Sequence, residues 1–486
     1  MFALFRRKST TPTPAPAPTP APTPIPTPTA APAPASAAVE APVSSGLYPW
    51  YVVGVLTVVH VFSFVDRQVL YLLVEPIKQD LGVNDTRMGI LMGLSFALFY
   101  CFFGIPLGRL ADTWSRRAVA AWGCAAWSFM TAGCGLATTY WQLLLMRMGV
   151  GVGEASLAPS AHSLIADYFP KQRLATAMSV HAMGIYIGSG LALVLGGTVL
   201  ALVSDGGLET LPLVGALRPW QQVFVIVGLP GVALALLMLT VREPTRRDAG
   251  AAACGDGTKL VRVPFSQVVV YIRNNWRTFL CHNVGFGLIG LGNHAAMAWT
   301  PSFLYRTHHM TVSEAGIGWG TIKAVAGVLG VLSGGVLADW LARRGYADSK
   351  MRLGLLAALL ASLACLVFPL APTASWTLAL LFPLVYFSSM PWGAAAAAIQ
   401  EMMPNRMRGQ AAAVFVFVAA LIGQGLGPTA VGLATNHLFH DDGMIRYSLL
   451  LVCTTSYLGA AVLLGIGLRP FRQSLDRLQQ WLASAS

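Results

Sequence analysis

Residues 108–117 read GRLADTWSRR, and residues 335–344 read GVLADWLARR. Both stretches begin with glycine, carry aspartate at the fifth position and end in two arginines. Their aspartates, Asp112 and Asp339, lie 227 residues apart. Each stretch follows a long apolar run. A charged signature that recurs after equivalent apolar runs indicates a chain built from two repeated halves with the same order of membrane helices.

A second pair of matching segments supports the repeat. Asp167-Tyr-Phe-Pro170 is followed closely by Arg173, and Glu401-Met-Met-Pro404 is followed closely by Arg408. Each segment comes after the fourth apolar run of its half. Two charged signatures at equivalent places predict a membrane transporter with parallel repeated halves.

The composition places the chain in the membrane class. Hydrophobic residues make up 55% and charged residues only 11%, and the mean hydropathy is +0.62. A soluble chain with a polar surface is less apolar than this. The net charge of +12 comes from basic residues spread over short loops, so no nucleic-acid partner is predicted.

Neither the cysteines nor the short motifs predict catalysis. The seven cysteines lie mostly within apolar runs and lack metal-ligand spacing, so we interpret them as small hydrophobic residues. The sequence has no phosphate-cradling P-loop and no nucleophile–base pair. The prediction is therefore a protein that is not an enzyme and that needs no metal and no cofactor.

Apolar runs define the predicted fold, an all-α membrane protein of twelve transmembrane helices in two pseudo-symmetric six-helix halves. Each run has 18 or more mostly apolar residues, enough for a hydrocarbon core of about 30 Å. The runs lie near 48–74, 86–110, 117–137, 141–167, 173–202, 220–241, 276–304, 314–338, 352–371, 375–400, 409–435 and 445–468.

The predicted organisation has five parts. In order, they are an Ala/Pro/Thr-rich cytoplasmic tail (1–45), an N-terminal six-helix half (46–241), a cytoplasmic linker with an amphipathic helix (242–275), a C-terminal six-helix half (276–468) and a cytoplasmic amphipathic tail (469–486). We expect the first tail to be disordered, because a Thr/Pro/Ala run cannot bury a core. The two amphipathic stretches, Pro264 to Asn275 and the helical face of Phe471, Leu475, Leu478 and Leu482, are typical of anchors at the membrane surface.

Loop charges orient the bundle. Arginine and lysine are concentrated in alternate loops, beginning with Arg6, Arg7 and Lys8, while the intervening loops hold fewer basic residues and more acidic ones. Basic loops face the cytoplasm. We therefore predict a multi-pass protein of the cell's inner (plasma) membrane with both termini in the cytoplasm.

The G-x-x-x-D-x-x-x-R-R loops resemble the signature of the major facilitator superfamily, over residues 48 to about 470. In that family the aspartate and arginine of the motif bridge neighbouring helices on the cytoplasmic side when the outside is open. Carried over by position, the resemblance implies a gating role for Asp112, Arg116, Arg117, Asp339, Arg343, Arg344, Asp167 and Glu401. Ordinary topology signals would account for the arginines but not for the matching aspartates.

Charged residues within two apolar runs give a narrower resemblance. Asp66-Arg67 lies in the first run, and Arg147 precedes Gly151-Val-Gly153-Glu154-Ala155 in the fourth. This combination is similar to the spinster family, and the chain looks like a bacterial-type member. Animal members carry lysophospholipids or sphingosine 1-phosphate. The resemblance implies that the first and fourth helices line a central cavity together.

The four charges of these runs predict a proton-coupled anion site. Asp66 and Glu154 are the candidate proton carriers, and Arg67 and Arg147 the candidate ligands for an anionic head group. Arg147 and Glu154 are seven residues apart, so they share a helix face at a separation of about 10 Å along the axis. Charges inside a membrane are usually functional, although a purely structural salt bridge would also account for them.

Other polar residues lie within the apolar runs of the second half. Lys323 is either a second anion contact or a side chain that snorkels to the surface. The remaining candidates for substrate contact are Asn283, Asn293, His294 and Trp392. Trp392 follows Met390-Pro391, which is expected to break the tenth helix where ligands often bind.

The predicted function is secondary active, proton-coupled transport by alternating access, acting on an anionic or zwitterionic amphiphile such as a lysophospholipid or sphingoid phosphate. The partners are this substrate, protons and membrane lipids, and the chain is expected to act as a monomer. An organic-anion or sugar-acid symporter and a drug exporter are alternatives within transport. A non-transporting receptor or scaffold that uses the proline-rich tail is the alternative outside it. Export or import, and symport or antiport, stay open.

Deletion of residues 1–42 separates the transporter from the scaffold. We expect the shortened protein to carry substrate in proteoliposomes at the rate of the full chain, because the tail has too few apolar residues to pack against the bundle. Flux per mole of reconstituted protein is the measurement. A loss of flux at normal reconstitution would show that the tail takes part in the function.

Overall fold

Twelve long helical segments follow one another through the part of the chain that the structure describes, which contains no β-strand. The computed structural model describes residues 46–204, 217–244, 265–404 and 407–484. The predictions for the tail 1–45 and for the middle of the linker lie outside these residues. The described residues all belong to one compact unit.

We number the twelve segments as spans 1 to 12. Spans 1 to 6 are Tyr48–Tyr71, Asp85–Thr113, Arg116–Cys134, Tyr140–Glu154 with its continuation Leu157–Tyr168, Lys171–Ser204 and Pro219–Leu239. Spans 7 to 12 are Trp276–His308, Val312–Arg343, Ser349–Leu370, Ala374–Glu401, Arg408–Phe439 and Ile445–Ser484. By length and composition alone, nine of the described helical segments are apolar enough to cross a membrane. The twelve-helix, two-half architecture predicted from the apolar runs is confirmed.

Two short α-helices of the described residues lie outside the spans. Val74–Leu81 follows span 1, and Phe265–Asn274 precedes span 7, where the linker was expected to be amphipathic. The second of these is held against the C-terminal half by the Tyr271 hydroxyl, which donates to the carbonyl of Met402 at 2.8 Å.

The end of the chain differs from its prediction. Span 12 continues as one helix to Ser484, so residues 469–484 are not a separate element. Phe471 is fully buried, and Ser474 hydrogen-bonds to Thr278 and to Asn275 at the start of span 7. Phe471 and Leu478, two residues of the face that was expected to lie on lipid, are therefore buried in protein, where span 7 begins beside them.

Side-chain caps set where several helices begin. Thr139 accepts from the backbone N–H of Gln142, and Thr311 accepts from that of Glu314; in both cases the side chain of the later residue bonds back to the cap. Such capping boxes satisfy N–H groups that have no partner within the helix. Spans 4 and 8 thus start at defined residues.

Span 2 contains a π-helical turn at Ile90–Leu94, and span 11 contains two, at Ala420–Leu426 and Ala434–Phe439. A π turn widens the helix locally and often occurs at functional sites. The first turn of span 11 carries Gln424. Spans 4 and 10 are interrupted instead, after Glu154 and around Met390-Pro391, and the second break confirms the interruption expected from the proline.

Glycines bring the two halves into backbone contact. A Cβ on Gly93 of span 2 would lie 2.6 Å from the carbonyl oxygen of Gly425 in span 11. A Cβ on Gly320 of span 8 would lie 2.7 Å from that of Gly190 in span 5. Small residues allow membrane helices to approach this closely. The interface of the halves therefore depends on the absence of side chains at these positions.

Substitution of Gly93 by alanine tests this interface. The added methyl group meets backbone, so we expect spans 2 and 11 to separate at a cost of about 1–3 kcal/mol, typical of overpacking. Spin labels at the exposed positions 87 and 437, in a background without the native cysteines, should report a longer distance. Gly104→Ala in the same span is the control, because no atom lies within 4 Å of its added Cβ. Equal distances in both variants would contradict the proposed packing.

Candidate functional site

Arg67 and Glu154 form a buried ion pair between spans 1 and 4. The guanidinium donates to Glu154 Oε2 through Nη2 and through Nε, the latter at 3.1 Å. Ser63, one turn before Arg67, donates to the same oxygen at 2.8 Å. The other oxygen, Oε1, is buried without a hydrogen-bond partner among the described residues. One carboxylate oxygen thus accepts every bond of the pair.

Arg67 also reaches the other half of the molecule. Its Nη1 donates to Gln424 Oε1 in the π turn of span 11 at 3.4 Å. The guanidinium carbon lies 4.3 Å from the ring centre of Phe96 and 4.8 Å from that of Phe64, and Tyr100 is 5.5 Å away. Aromatic faces stabilise a desolvated cation. The arginine is therefore held by a carboxylate and aromatic rings in one half and by an amide in the other.

Asp66 lies beside this pair but takes no part in it. Its residue is 1% exposed, and neither carboxylate oxygen has a hydrogen-bond partner among the described residues. Trp127 and Thr131 of span 3 are near enough to interact with it, yet Trp127 Nε1 and Thr131 Oγ1 lack partners as well. A buried carboxylate without partners is costly in its charged form.

Arg147 has a different position from the predicted one. It is fully buried, and its Nη1 and Nη2 donate to the backbone carbonyls of Asp66 at 3.1 Å and Arg67 at 2.8 Å. Those carbonyls belong to the end of the first α-helix, where span 1 narrows into a 3₁₀ turn. This geometry makes Arg147 a clamp on span 1 and does not support its predicted role as a substrate ligand. The four charges expected to form one site therefore have three different settings. Arg67 and Glu154 form an ion pair, Asp66 has no hydrogen-bond partner among the described residues, and Arg147 binds backbone carbonyls.

The candidates of the C-terminal half fall into two groups. Lys323 donates to Asn293 Oδ1 at 2.9 Å, and His294 lies close enough to both Lys323 and Arg67 to interact electrostatically with them. Trp392 contacts span 7 at Gly290. Asn283 bonds instead to His282, whose Nε2 contacts the carbonyl of Ala395. Asn283 therefore serves packing between spans 7 and 10, and the structure does not bring it to the Arg67 site.

The predicted gating residues of the first half cluster at one end of the bundle, which we call the Arg116 end. Arg116 is buried and pairs with Asp167 and with Glu243, at 2.8 Å to Glu243. Burial acts to raise the pKa of Glu243, but hydrogen bonds from Arg116, from the Arg117 N–H and from Ser115 outweigh it and lower the pKa. Arg117 also donates to the backbone carbonyls of Leu239 and Val241 at the end of span 6. These contacts lie within the N-terminal half and the first residues of the linker that follows it.

The equivalent residues of the second half are bonded differently. Glu401 pairs with Lys350 at 2.5 Å, and Arg343 donates only weakly to the carbonyl of Asp339, at 3.4 Å. Arg344 stacks on Trp340. Asp112 and Asp339 are exposed and form no ion pair with another described residue. The two motif aspartates thus do not bridge helices in this conformation.

The opposite end, which we call the Arg306 end, is closed by charges from both halves. Arg306 of span 7 donates to Asp85 at 2.6 and 2.9 Å and to Glu75 at 2.9 Å. Lys78 bonds to Asp85 and, at 2.7 Å, to Asp442. Asp85 is completely buried. A bidentate, buried arginine–carboxylate pair is a strong link, so this network holds the halves together at this end.

Sequence reasoning missed Ser63 and the network of the Arg306 end. Ser63 lies four residues before Arg67, a spacing that places both on one helix face, and this signal was available. The members of the network were interpreted only as loop charges that report topology. They come from four separate segments, so no local spacing relates them.

Comparison with known proteins places this geometry in context. The family model described as Major Facilitator Superfamily matches residues 56–428. An MFS-type efflux pump of Mycolicibacterium smegmatis is 33% identical over 85% of this chain and 91% of its own length. Protein spinster homolog 1 of Rattus norvegicus is 27% identical over 85% of this chain and 80% of its own length.

One solved structure is similar over nearly its whole length. It is the crystal structure of a bacterial homologue of the human lysosomal transporter spinster, in an inward-facing and unoccupied conformation. Its TM-score is 0.71 at 27% identity, and the match covers 89% of this chain and 98% of that one.

Replacement of Arg306 by glutamine should open the Arg306 end. The change leaves the buried Asp85 and the largely buried Glu75 without their arginine, and removal of one partner of a buried pair costs about 3–5 kcal/mol. We expect a cysteine placed at Asn436 to react faster with a membrane-impermeant maleimide. Arg87→Gln is the matched control, because Arg87 is exposed at the same end and forms no ion pair with a described residue. Unchanged reactivity in the Arg306 variant would contradict a latch role for this network.

Proposed function

Because the chain is a spinster-family member of the major facilitator superfamily, we propose that it is a proton-coupled secondary active transporter that moves an anionic or zwitterionic amphiphile by alternating access. The family assigns transport across a membrane. The substrate class and the coupling to protons are the proposal. It rests chiefly on one observation: Arg67 is bonded to Glu154 in one half and to Gln424 in the other.

The Arg67 guanidinium is the proposed contact for the substrate's negative charge. Its planar fork matches the two oxygens of a phosphate or carboxylate. While Glu154 is charged, it occupies that fork through two of the three nitrogens. A proton on Glu154 removes the charge that holds the arginine, and the fork becomes available to an anion.

Two carboxylates are the proposed proton carriers. Glu154 has one oxygen, Oε1, with no hydrogen-bond partner among the described residues, and Asp66 has two. An oxygen without a partner can accept a proton without first losing a bond. In this proposal a proton on Glu154 and an intact Arg67–Glu154 ion pair exclude each other. This exclusion couples the proton to the substrate anion, which competes for the same guanidinium.

An amphiphile is favoured over a small hydrophilic solute by the surroundings of the cation. The rings of Phe64, Phe96 and Tyr100 surround Arg67, and Gln424 is the one amide among the described residues that bonds to it. Apolar and aromatic walls suit an acyl chain, and a sugar acid would leave its hydroxyls unpaired against them. Spinster proteins are among the relatives of the chain.

Alternating access follows in this proposal from the two ends. The Arg306 end is closed by its charge network, while Asp112 and Asp339 at the Arg116 end are exposed and unpaired with described residues. We assign the Arg116 end to the cytoplasm from its basic loops. The motif aspartates would then form their bridges in the opposite state, once the Arg306 network has opened. The protein acts as a monomer in the inner (plasma) membrane.

Drug export is the second candidate. The relative from Mycolicibacterium smegmatis is called an efflux pump and is 33% identical to this chain. An exported cationic drug would need a free carboxylate, and in this site Asp66 is the carboxylate without a partner.

The combined substitution Glu154→Gln and Asp66→Asn tests the coupling. Both side chains keep their size and lose the ability to carry a proton. We expect proteoliposomes with this variant to lose uptake driven by a pH gradient while they retain exchange of labelled lysophospholipid across the membrane. The ratio of gradient-driven to exchange flux, compared with wild type, is the measurement.

Asp476→Asn is the control, because Asp476 is exposed on the extension of span 12 and no ion pair involves it among the described residues. It should behave as wild type. Undiminished gradient-driven transport in the double variant would refute the proton role. Gradient-driven efflux of cationic drugs by the wild type, with no lysophospholipid exchange, would favour the second candidate.

A further inference from the structure

Lys323 is a buried cation without a carboxylate partner. It lies in the middle of span 8 and is 6% exposed. Its one hydrogen bond to a described residue is to Asn293 Oδ1, at 2.9 Å, and no described aspartate or glutamate forms an ion pair with it. The ammonium has three donors. Two of them are therefore left for water or a ligand.

The partner of Lys323 is itself fixed. Asn293 Nδ2 donates to Ser388 Oγ in span 10 at 2.9 Å, and Ser388 in turn donates to the carbonyl of Val385 at 3.2 Å. This chain of bonds ties spans 7, 8 and 10 together and holds the amide oxygen towards the lysine. The lysine is thus oriented without being neutralised. Since its ammonium bonds to span 7, the side chain does not snorkel to the surface, which was the alternative considered from the sequence.

Lys323 lies near the Arg67 site of the other half. His294, the residue after Asn293, is close enough to both Lys323 and Arg67 for each cation to act electrostatically on its ring. Arg67 approaches the C-terminal half through Gln424, whose Nε2 has no hydrogen-bond partner among the described residues. Arg67 of span 1 and Lys323 of span 8 thus both lie within electrostatic range of His294 in span 7.

The charges of this region do not cancel. Arg67 and Glu154 neutralise each other, and Asp66 carries at most the one negative charge that would balance Arg147. Lys323 adds a positive charge that no group in the described residues offsets. A proton taken up by Glu154 makes the excess larger. An unbalanced buried cation is costly, and an anionic ligand would relieve that cost.

We propose that Lys323 makes the site selective for amphiphiles whose head group carries a net negative charge, a phosphate monoester or a carboxylate, over zwitterionic head groups on the same tail. This inference rests on the proposed transport of amphiphiles. A phosphate monoester brings close to two negative charges and three acceptor oxygens, so it can accept from the free donors of Lys323 and balance its charge. A zwitterionic head group brings its own cation into a region that already has one in excess.

Binding of three radiolabelled probes with one acyl chain tests the proposal. The probes are lysophosphatidic acid, with a phosphate monoester, lysophosphatidylcholine, which is zwitterionic, and a monoacylglycerol, which is uncharged. Scintillation proximity with the full-length wild type should give the tightest binding for lysophosphatidic acid. Lys323→Gln should weaken the binding of lysophosphatidic acid about 10-fold or more, as expected for a lost hydrogen bond to a charged group. The affinities for the other two probes should stay within about 2-fold of wild type.

Lys323→Arg keeps the charge and should keep the preference. Normal monoacylglycerol binding by Lys323→Gln shows that the variant is folded and that the apolar part of the site is intact. Equal affinity of the wild type for the anionic and zwitterionic probes would overturn the selectivity and leave the proposed function standing. An equal loss for all three probes in Lys323→Gln would overturn the role of the lysine. Failure of the wild type to bind any probe would overturn the proposed function together with the selectivity.

Discussion

The ion pair between Arg67 and Glu154 is the interaction on which the functional part of this structure depends. Two opposite charges lie inside a membrane protein, where each alone would be strongly unfavourable. Ser63 and the aromatic rings around the guanidinium replace part of the water that both groups have lost. The pair is nevertheless incomplete, since Glu154 Oε1 has no partner among the described residues. A buried pair with one open acceptor is stable enough to persist and can be changed by a single proton.

The Arg67–Glu154 pair lies where a change in its bonding affects the contact between the two halves. Span 1 carries Arg67 and is held at its end by Arg147, which bonds to the backbone of span 1 rather than to a charge. Gln424 approaches Arg67 from span 11, and glycine contacts such as Gly93 with Gly425 keep spans 2 and 11 close enough for that approach. A change at Glu154 therefore acts directly on the interface of the halves.

The two halves share a fold but not a set of contacts. Arg116 is buried and bonded to two carboxylates, whereas its counterpart Arg343 is exposed and bonded weakly to a backbone carbonyl. The central charges are divided in the same unequal way: the N-terminal half holds both carboxylates, and the C-terminal half supplies the unpaired Lys323. Duplication accounts for the architecture. The candidate functional residues are those that differ between the halves.

The amino-acid sequence by itself determined the membrane class, the twelve spans, the two-half repeat and the identity of Asp66, Arg67, Glu154 and Lys323 as charges at membrane depth. Apolar length and the recurrence of a charged motif are local properties of a chain, so they can be read without coordinates. Only the tertiary structure decided which groups these charged residues bind. Helical spacing placed Arg147 and Glu154 on one face of span 4, but both bind residues of span 1. Arg67 donates to the Glu154 carboxylate, and Arg147 donates to the backbone carbonyls of Asp66 and Arg67. The charge network around Arg306 joins segments more than 200 residues apart. Which charges meet is set by how helices pack, and side-chain spacing along one helix does not contain that information.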